Sequence, residues 1–224
     1  MFSRDKFELL TDKGMKDYYP ELFALKGVPQ DLKWHPEGDA YEHTMCVLDR
    51  VNKIVPHNVL LQCAAVCHDL GKALTPKEDW PKQHGHAFLG IKPTRSLLKR
   101  VCMNEQTIND VAFITEYHMH VHYANVMRAV KYSKIFWEAY KISNSNLKEA
   151  TNLLHHLCLL GAADHYGRGN VTTPATNAIL MDYVFVNAVR DIDLALAKES
   201  KYNMHVFGMH LKSGKHMLDL VKEQ

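Results

Sequence analysis

No stretch of this 224-residue chain approaches 18 uninterrupted apolar residues, so the sequence offers no membrane-spanning helix. The opening residues Met1-Phe2-Ser3-Arg4-Asp5-Lys6 are charged and lack the apolar core of a secretion signal. Neither sign of charge is in excess: 27 Lys and Arg against 25 Asp and Glu leave +2. A protein held to nucleic acid by its overall field would carry a larger basic surplus, although a local basic patch stays open. Glycine and proline are sparse, at 11 and 8, which excludes collagen-like and low-complexity material. Cysteine is sparse too. The five residues (46, 63, 67, 102 and 158) are odd in number and contain no C-x-x-C pair. They read as reduced thiols of a cytoplasmic protein, with Cys63 and Cys67, four apart, packed into a core.

What remains is an ordinary globular composition, 46% hydrophobic and 23% charged. The length suits one domain, or one with a small appendage, and buries a core without disulfides. The periodicity is helical almost throughout, with no internal repeat, long linker, hairpin signal or β-rich run. Short helices are expected at 4–10 and 17–25, the second interrupted near Pro20. Gly27, Pro29, Pro36 and Gly38 make 26–39 a loop. Apolar spacing predicts helices at 41–55 and 58–71, ended by Pro56 and Gly71. Thr75-Pro76-Lys77-Glu78 reads as a helix start, with Thr75 as cap. Further helices are expected at 86–101, 105–120, 126–141, 146–165, 176–190, 191–198 and 208–222, with a loop at 166–177. The fold class is all-α.

Histidine is the anomaly: 15 residues, more than the glycines, clustered inside the chain. Imidazole is the commonest protein ligand for transition metals. His43 lies four before Val47 and His68 four after Ala64, each on the apolar face of its helix. Asp69 follows about 100° further round. Leu154, Leu157, Gly161 and Asp164 share a face of 146–165. Two His and two Asp would thus enter a helical core from three helices. A buried carboxylate must be paired or bind a metal, and a divalent ion on His43, His68, Asp69 and Asp164 would meet that need. Each piece alone is common by chance; the set H-x24-H-D-x-G-K with a later inward Asp is specific.

A second group comprises His84 and His86 in PKQHGHAFLG and His118, His120 and His122 at a helix end. In helical geometry His118 and His122 share a face while His120 points away. His86 and His118 either complete a second metal site sharing Asp69 or donate protons to a substrate. His84 and His122 are candidates for substrate binding; His120, His155 and His156 read as structural or surface groups. Lys72, three after Asp69, reaches a phosphate oxygen near the metal or serves as a helix C-terminal charge. Arg168, four after Asp164, is a similar candidate for substrate binding.

The H…HD…D pattern, with HDLGK intact at 68–72, resembles the HD-domain phosphohydrolases. The segments YYPELFALKGVPQ (18–30), WHPEGDAYEHTMCVLDR (34–50), CHDLGKALTPKEDWPKQHGH (67–86), YHMHVH (117–122) and ADHYGRG (163–169) resemble the C-terminal HD region of bacterial multifunctional tRNA nucleotidyltransferases, the CCA-adding enzymes. The resemblance implies a single HD-domain helical bundle with metal-dependent 2',3'-cyclic phosphodiesterase, 2'-nucleotidase and phosphatase activities. By position, His43, His68, Asp69 and Asp164 match the family's metal ligands, and Lys72, His86 and His118 match positions lining its site. His120 falls where no family histidine is expected, and Ala163 stands where an acidic residue often precedes the final Asp. The nucleotidyltransferase head is absent from this sequence, so CCA addition is not expected. Residues 1–33 are expected to form a helical appendage packing on an HD phosphohydrolase domain at 34–224, together one compact unit.

The expected chemistry is metal-assisted phosphoester hydrolysis, with Lys72, His86 and His118 as the catalytic side chains. Mixed nitrogen and oxygen ligation suits Ni, Mn, Co, Fe or Zn, and Mg less comfortably, as one or two ions. The expected substrate is a nucleoside 2',3'-cyclic phosphate or an RNA 3' end bearing one, with tRNA among the candidate partners and no membrane. Two alternatives stand beside it: a nucleotidase on free nucleoside mono- or triphosphates, and a non-catalytic RNA-binding HD module. No exposed stripe assigns an oligomeric state.

Overall fold

The computed structural model describes residues 2–169 and 171–188. It is all-α, and no strand occurs among the described residues. The helices are α1 (Arg4–Glu8), α2 (Asp12–Tyr18), α3 (Pro20–Phe23), α4 (Ala40–Ile54), α5 (Val59–Cys67), α6 (His86–Leu89), α7 (Ile91–Arg100), α8 (Glu105–His122), α9 (Ala129–Ile142), α10 (Leu147–Gly167) and α11 (Thr176–Ala188). Two short 3-10 turns, Leu70–Leu74 and Lys77–Asp79, lie between α5 and α6. The helices expected at 191–198 and 208–222 lie outside the described residues. No described helix is long and apolar enough to cross a membrane.

The chain divides into two units, Met1–His118 with Leu160–Pro174, and Met119–Leu159 with the segment from Ala175 onward. Residues 2–33 belong to the first unit. Its centre is α5, whose residues Leu61 to Cys67 are all buried, as suits a helix apolar on every side. The α4 helix packs against it and buries Met45, Leu48 and Val51. Fully burying such a side chain stabilises the fold by roughly 1.5–3 kcal/mol. In the second unit the ring of Tyr132, on α9, lies tilted against that of Phe185 of α11, with centroids 5.6 Å apart. The Tyr132 hydroxyl donates to the Ala124 carbonyl at 2.8 Å.

Caps set the two central helix starts. Asp39 Oδ1 accepts from the Glu42 amide at 2.9 Å, and Asn58 Oδ1 from the Leu61 amide at 3.0 Å. Four sequence expectations are corrected. The helix foreseen at 17–25 is broken at Tyr19, whose φ and ψ of -136° and 53° are not helical, and Pro20 opens α3. The helix foreseen at 58–71 stops at Cys67 and tightens into the 3-10 turn Leu70–Leu74. Thr75 caps nothing: its hydroxyl donates to the Lys72 carbonyl at 2.8 Å and accepts from Trp80 Nε1 at 2.9 Å. Only a three-residue turn follows it. The helix foreseen at 86–101 is two helices meeting at Gly90.

That meeting point locks the site's framework. A Cβ on Gly71 would stand 2.0 Å from the His86 carbonyl oxygen and 2.5 Å from the Gly90 nitrogen. The turn after Asp69 therefore lies directly against the start of α6. At the other end of the unit, Gly167 closes α10 against α4, where a Cβ would meet Val47 Cγ2 at 2.7 Å.

Candidate metal centre

Asp69 sits where α5 gives way to the 3-10 turn, with φ and ψ of -107° and 4°. The change of winding aims its carboxylate into the unit, 1% exposed. The two oxygens face different partners. Oδ2 lies 3.2 Å from His68 Nε2 and 3.8 Å from His43 Nε2. Oδ1 lies 3.3 Å from His86 Nε2 and 3.8 Å from His118 Nε2. Asp164, from the last turns of α10, puts Oδ1 3.1 Å from His43 Nε2. Lys72 Nζ stands 2.7 Å from Asp69 Oδ2 and donates to Gln30 Oε1. His43, His68, Lys72, His86, His118 and Asp164 are all buried.

The far nitrogens explain how the rings are held. His68, His86 and His118 each donate from Nδ1 to the carbonyl three residues back, those of Ala65, Gln83 and Thr115, at 2.8, 2.9 and 2.7 Å. A carbonyl only accepts, so Nδ1 carries the proton and Nε2 of the neutral ring is a lone pair aimed inward. His43 donates from Nδ1 to Glu37 Oε1 at 2.6 Å.

The donor set fits a divalent cation. His68 Nε2 is buried without a hydrogen bond, and His86 and His118 bring their Nε2 atoms within 3.3 Å of each other. Two lone pairs that close need a cation or proton between them. Within one unit His43, His68 and Asp164 form one possible ion-holding group, and Asp69, His86 and His118 another. The electrostatics agree. Burial would raise the Asp69 carboxyl, but His68 and Lys72 override it and hold it well below the ordinary carboxylate range. Burial also works against charge on His43, yet its bonds to Asp164 and Glu37 raise its pKa, so that position favours positive charge. Burial, with His86 and His68 nearby, pushes His118 well below the ordinary imidazole value.

The remaining candidates lie apart from this cluster or at its edge. Arg168 is half-buried, its Nε 3.9 Å from Asp164 Oδ1. His84 is exposed and is not among the side chains meeting around Asp69. His122 belongs to the second unit, where its carbonyl accepts from Asn177 Nδ2 at 2.5 Å.

Sequence reasoning assigned no role to His35, Glu37 or Gln30. Glu37 Oε1 accepts from His35 Nδ1 at 3.0 Å as well as from His43. Burial acts to raise its carboxyl, but the bonds from the two histidines, with a backbone hydrogen bond, together hold it down at about 2. These residues lie in the loop before α4, where no periodicity assigns a face. The available signal was the chemistry-bearing run His35-Pro36-Glu37 just ahead of the cap Asp39.

A family model for the HD domain matches residues 40–168. The multifunctional CCA protein of Pasteurella multocida (strain Pm70) is 40% identical over 135 residues, covering 58% of this chain and 32% of that protein. Its counterpart from Haemophilus influenzae (strain PittGG) is 42% identical over 129 residues, covering 55% of the chain and 31% of that protein. That of Shewanella frigidimarina (strain NCIMB 400) is 40% identical over 118 residues, covering 53% and 28%. The match thus spans less than a third of each relative's length. No solved structure matches the chain significantly. The family match takes in more than half of the chain and every side chain that meets around Asp69 except those of the loop before α4. With an all-α fold and a buried His and Asp centre suited to a divalent ion, this chain belongs to the HD-domain family of metal-dependent phosphohydrolases.

Proposed function

We propose that the protein is a cytoplasmic 2',3'-cyclic phosphodiesterase acting on nucleotides or RNA ends, with 2'-nucleotidase and phosphatase activity at the same site. The observation that carries this reading is the division of Asp69 between two imidazole pairs, one oxygen to each. His43, His68, Asp69 and Asp164 would hold one ion. Asp69, His86 and His118 would hold a second beside it. Two adjacent ions suit phosphoester hydrolysis, since they acidify a nucleophilic water and offset charge on attacking and departing oxygens.

The chain's own residues do the rest. Lys72 is fixed by Gln30 and Asp69 at the edge of the cluster. Its ammonium can shift to a phosphoryl oxygen and offset the charge that grows there. The lone pair that His118 turns inward suits ligation better than proton donation. In the overall reaction the water oxygen bonds to phosphorus, one ribose–oxygen bond to phosphorus breaks, and a proton reaches the departing ribose oxygen. Similarity to the multifunctional CCA proteins supports an RNA 3' end, tRNA included, as the natural source of the phosphate.

The test is turnover of 2',3'-cyclic AMP by metal-stripped protein resupplied with Ni, Mn, Co or Mg, with Asp69→Ala as control. Metal-restored hydrolysis that the variant lacks is the expected result. Turnover of 5'-nucleotides but not cyclic ones would move the activity to a free-nucleotide phosphatase. Phosphate binding without turnover in any metal would make the chain a binding module.

A further inference from the structure

We propose that Glu37 is a positioning residue for metal binding, acting through His43. The inference rests on the metal-centre reading above. Three of the four imidazoles around Asp69 take their orientation from the carbonyl three residues back. His43 does not. The carbonyl three residues before it, that of Ala40, accepts from the Thr44 hydroxyl at 2.8 Å. A side chain from outside the helix takes the place of that carbonyl, and it is Glu37, 2.6 Å away.

The bond does two things. A carboxylate only accepts, so it keeps the proton on Nδ1 and turns Nε2 toward Asp164, 3.1 Å off on the opposite side of the ring. A carboxylate behind an imidazole also makes the ring a stronger donor to a metal, an arrangement that recurs behind histidine ligands. Glu37 is itself held from several directions. His35 donates to the same oxygen at 3.0 Å and sets its ring edge-on against His43, with centroids 4.5 Å apart. Asp39, two residues on, caps α4 and accepts from the Gly27 amide at 2.6 Å. Gly169, at φ +57°, lies against the ring of Pro36, so close that a Cβ there would meet Cγ at 2.9 Å. The other Glu37 oxygen is buried without a hydrogen bond. The side-chain partners of the carboxylate are thus the two imidazoles, both on Oε1.

The experiment is a Co2+ titration of the metal-stripped full chain, read by visible absorbance, beside the melting temperature of each metal-free protein. Glu37→Ala is expected to raise the Co2+ dissociation constant by about 10- to 100-fold. Glu37→Gln, whose amide oxygen still accepts from Nδ1, is expected to fall between wild type and alanine. That graded order, with melting temperatures of the metal-free proteins that do not follow it, separates positioning from a merely structural role. Wild-type affinity in Glu37→Ala overturns the proposal; should that variant fail to fold, wild-type affinity in Glu37→Gln does so instead. A wild-type chain that takes up no Co2+ overturns the metal-centre reading itself, a different result from variants that bind as well as wild type.

Discussion

Replacing Gly71 by alanine sets a methyl group 2.0 Å from the His86 carbonyl oxygen, 2.5 Å from the Gly90 nitrogen and 2.9 Å from the His86 carbonyl carbon. All three are backbone atoms, so no side chain can swing aside. Ordinary contact begins near 3.4 Å, and the turn after Asp69 would have to part from the start of α6 by about 1.4 Å. Overpacking costs roughly 1–3 kcal/mol where side chains can adjust; between two backbones about 3 kcal/mol or more is expected. In a chain of this size each kcal/mol lowers the melting temperature by about 2–4 °C, so a fall of about 6–12 °C follows. The separation also draws His86 from Asp69 Oδ1, now 3.3 Å apart. Metal uptake at the His86 and His118 pair should therefore weaken more than at His43 and Asp164. The internal control is Gly14→Ala, where a Cβ meets only Leu10 and Thr11 side-chain atoms at 3.6 Å or beyond. There the same change removes helix-interior glycine and should stabilise by up to about 1 kcal/mol. Differential scanning fluorimetry and Co2+ stoichiometry measure both effects. A Gly71→Ala protein that melts like wild type and binds as many ions would refute the reasoning.

Lys72→Met removes a cation 2.7 Å from Asp69 Oδ2, an oxygen proposed to hold the ion. Co2+ should then bind several-fold more tightly while cyclic phosphate turnover falls by about 100-fold. Weaker binding would mean that Lys72 supports the ligands rather than opposing the ion. The thiols give an independent check on packing. Cys102 is exposed, whereas Cys63, Cys67 and Cys158 are buried, and burial pushes Cys63 up to about 11. Folded protein at pH 8 should show one fast thiol with Ellman's reagent, at Cys102, a slower one at half-buried Cys46, and release the buried three only on unfolding; early reaction of Cys63 would contradict the core.

Periodicity carried the fold a long way, because α4 and α10 each bury a stripe that counting by 3.6 locates and α5 is an apolar run buried all round. The same counting reached His43, His68 and Asp164. Asp69 was reached for the wrong geometric reason. Its direction was read as 100° of further helix, whereas the helix has ended and the tighter winding of a 3-10 turn aims the carboxylate. Glu37 and His35 escaped because a loop has no repeat to count and their partner, His43, comes from an element that forms later in the chain. Thr75 was misread because a capping hydroxyl and one tied to Lys72 and Trp80 have the same local sequence. Only the packing of Trp80 separates them.

The way the four imidazoles are anchored also bears on which inherited changes the centre can absorb. Positions 65, 83 and 115 lend His68, His86 and His118 a main-chain oxygen, which every amino acid possesses. As far as ring orientation goes, the side chains at those three positions are free to drift, although Gln83 also has a left-handed backbone and donates to the Pro29 carbonyl, and the Thr115 hydroxyl pairs with that of Thr94. Position 37 lends His43 a side chain instead. A single codon change there removes the anchor outright, so the tolerance of the centre to mutation is uneven, and its exposed point lies outside every helix.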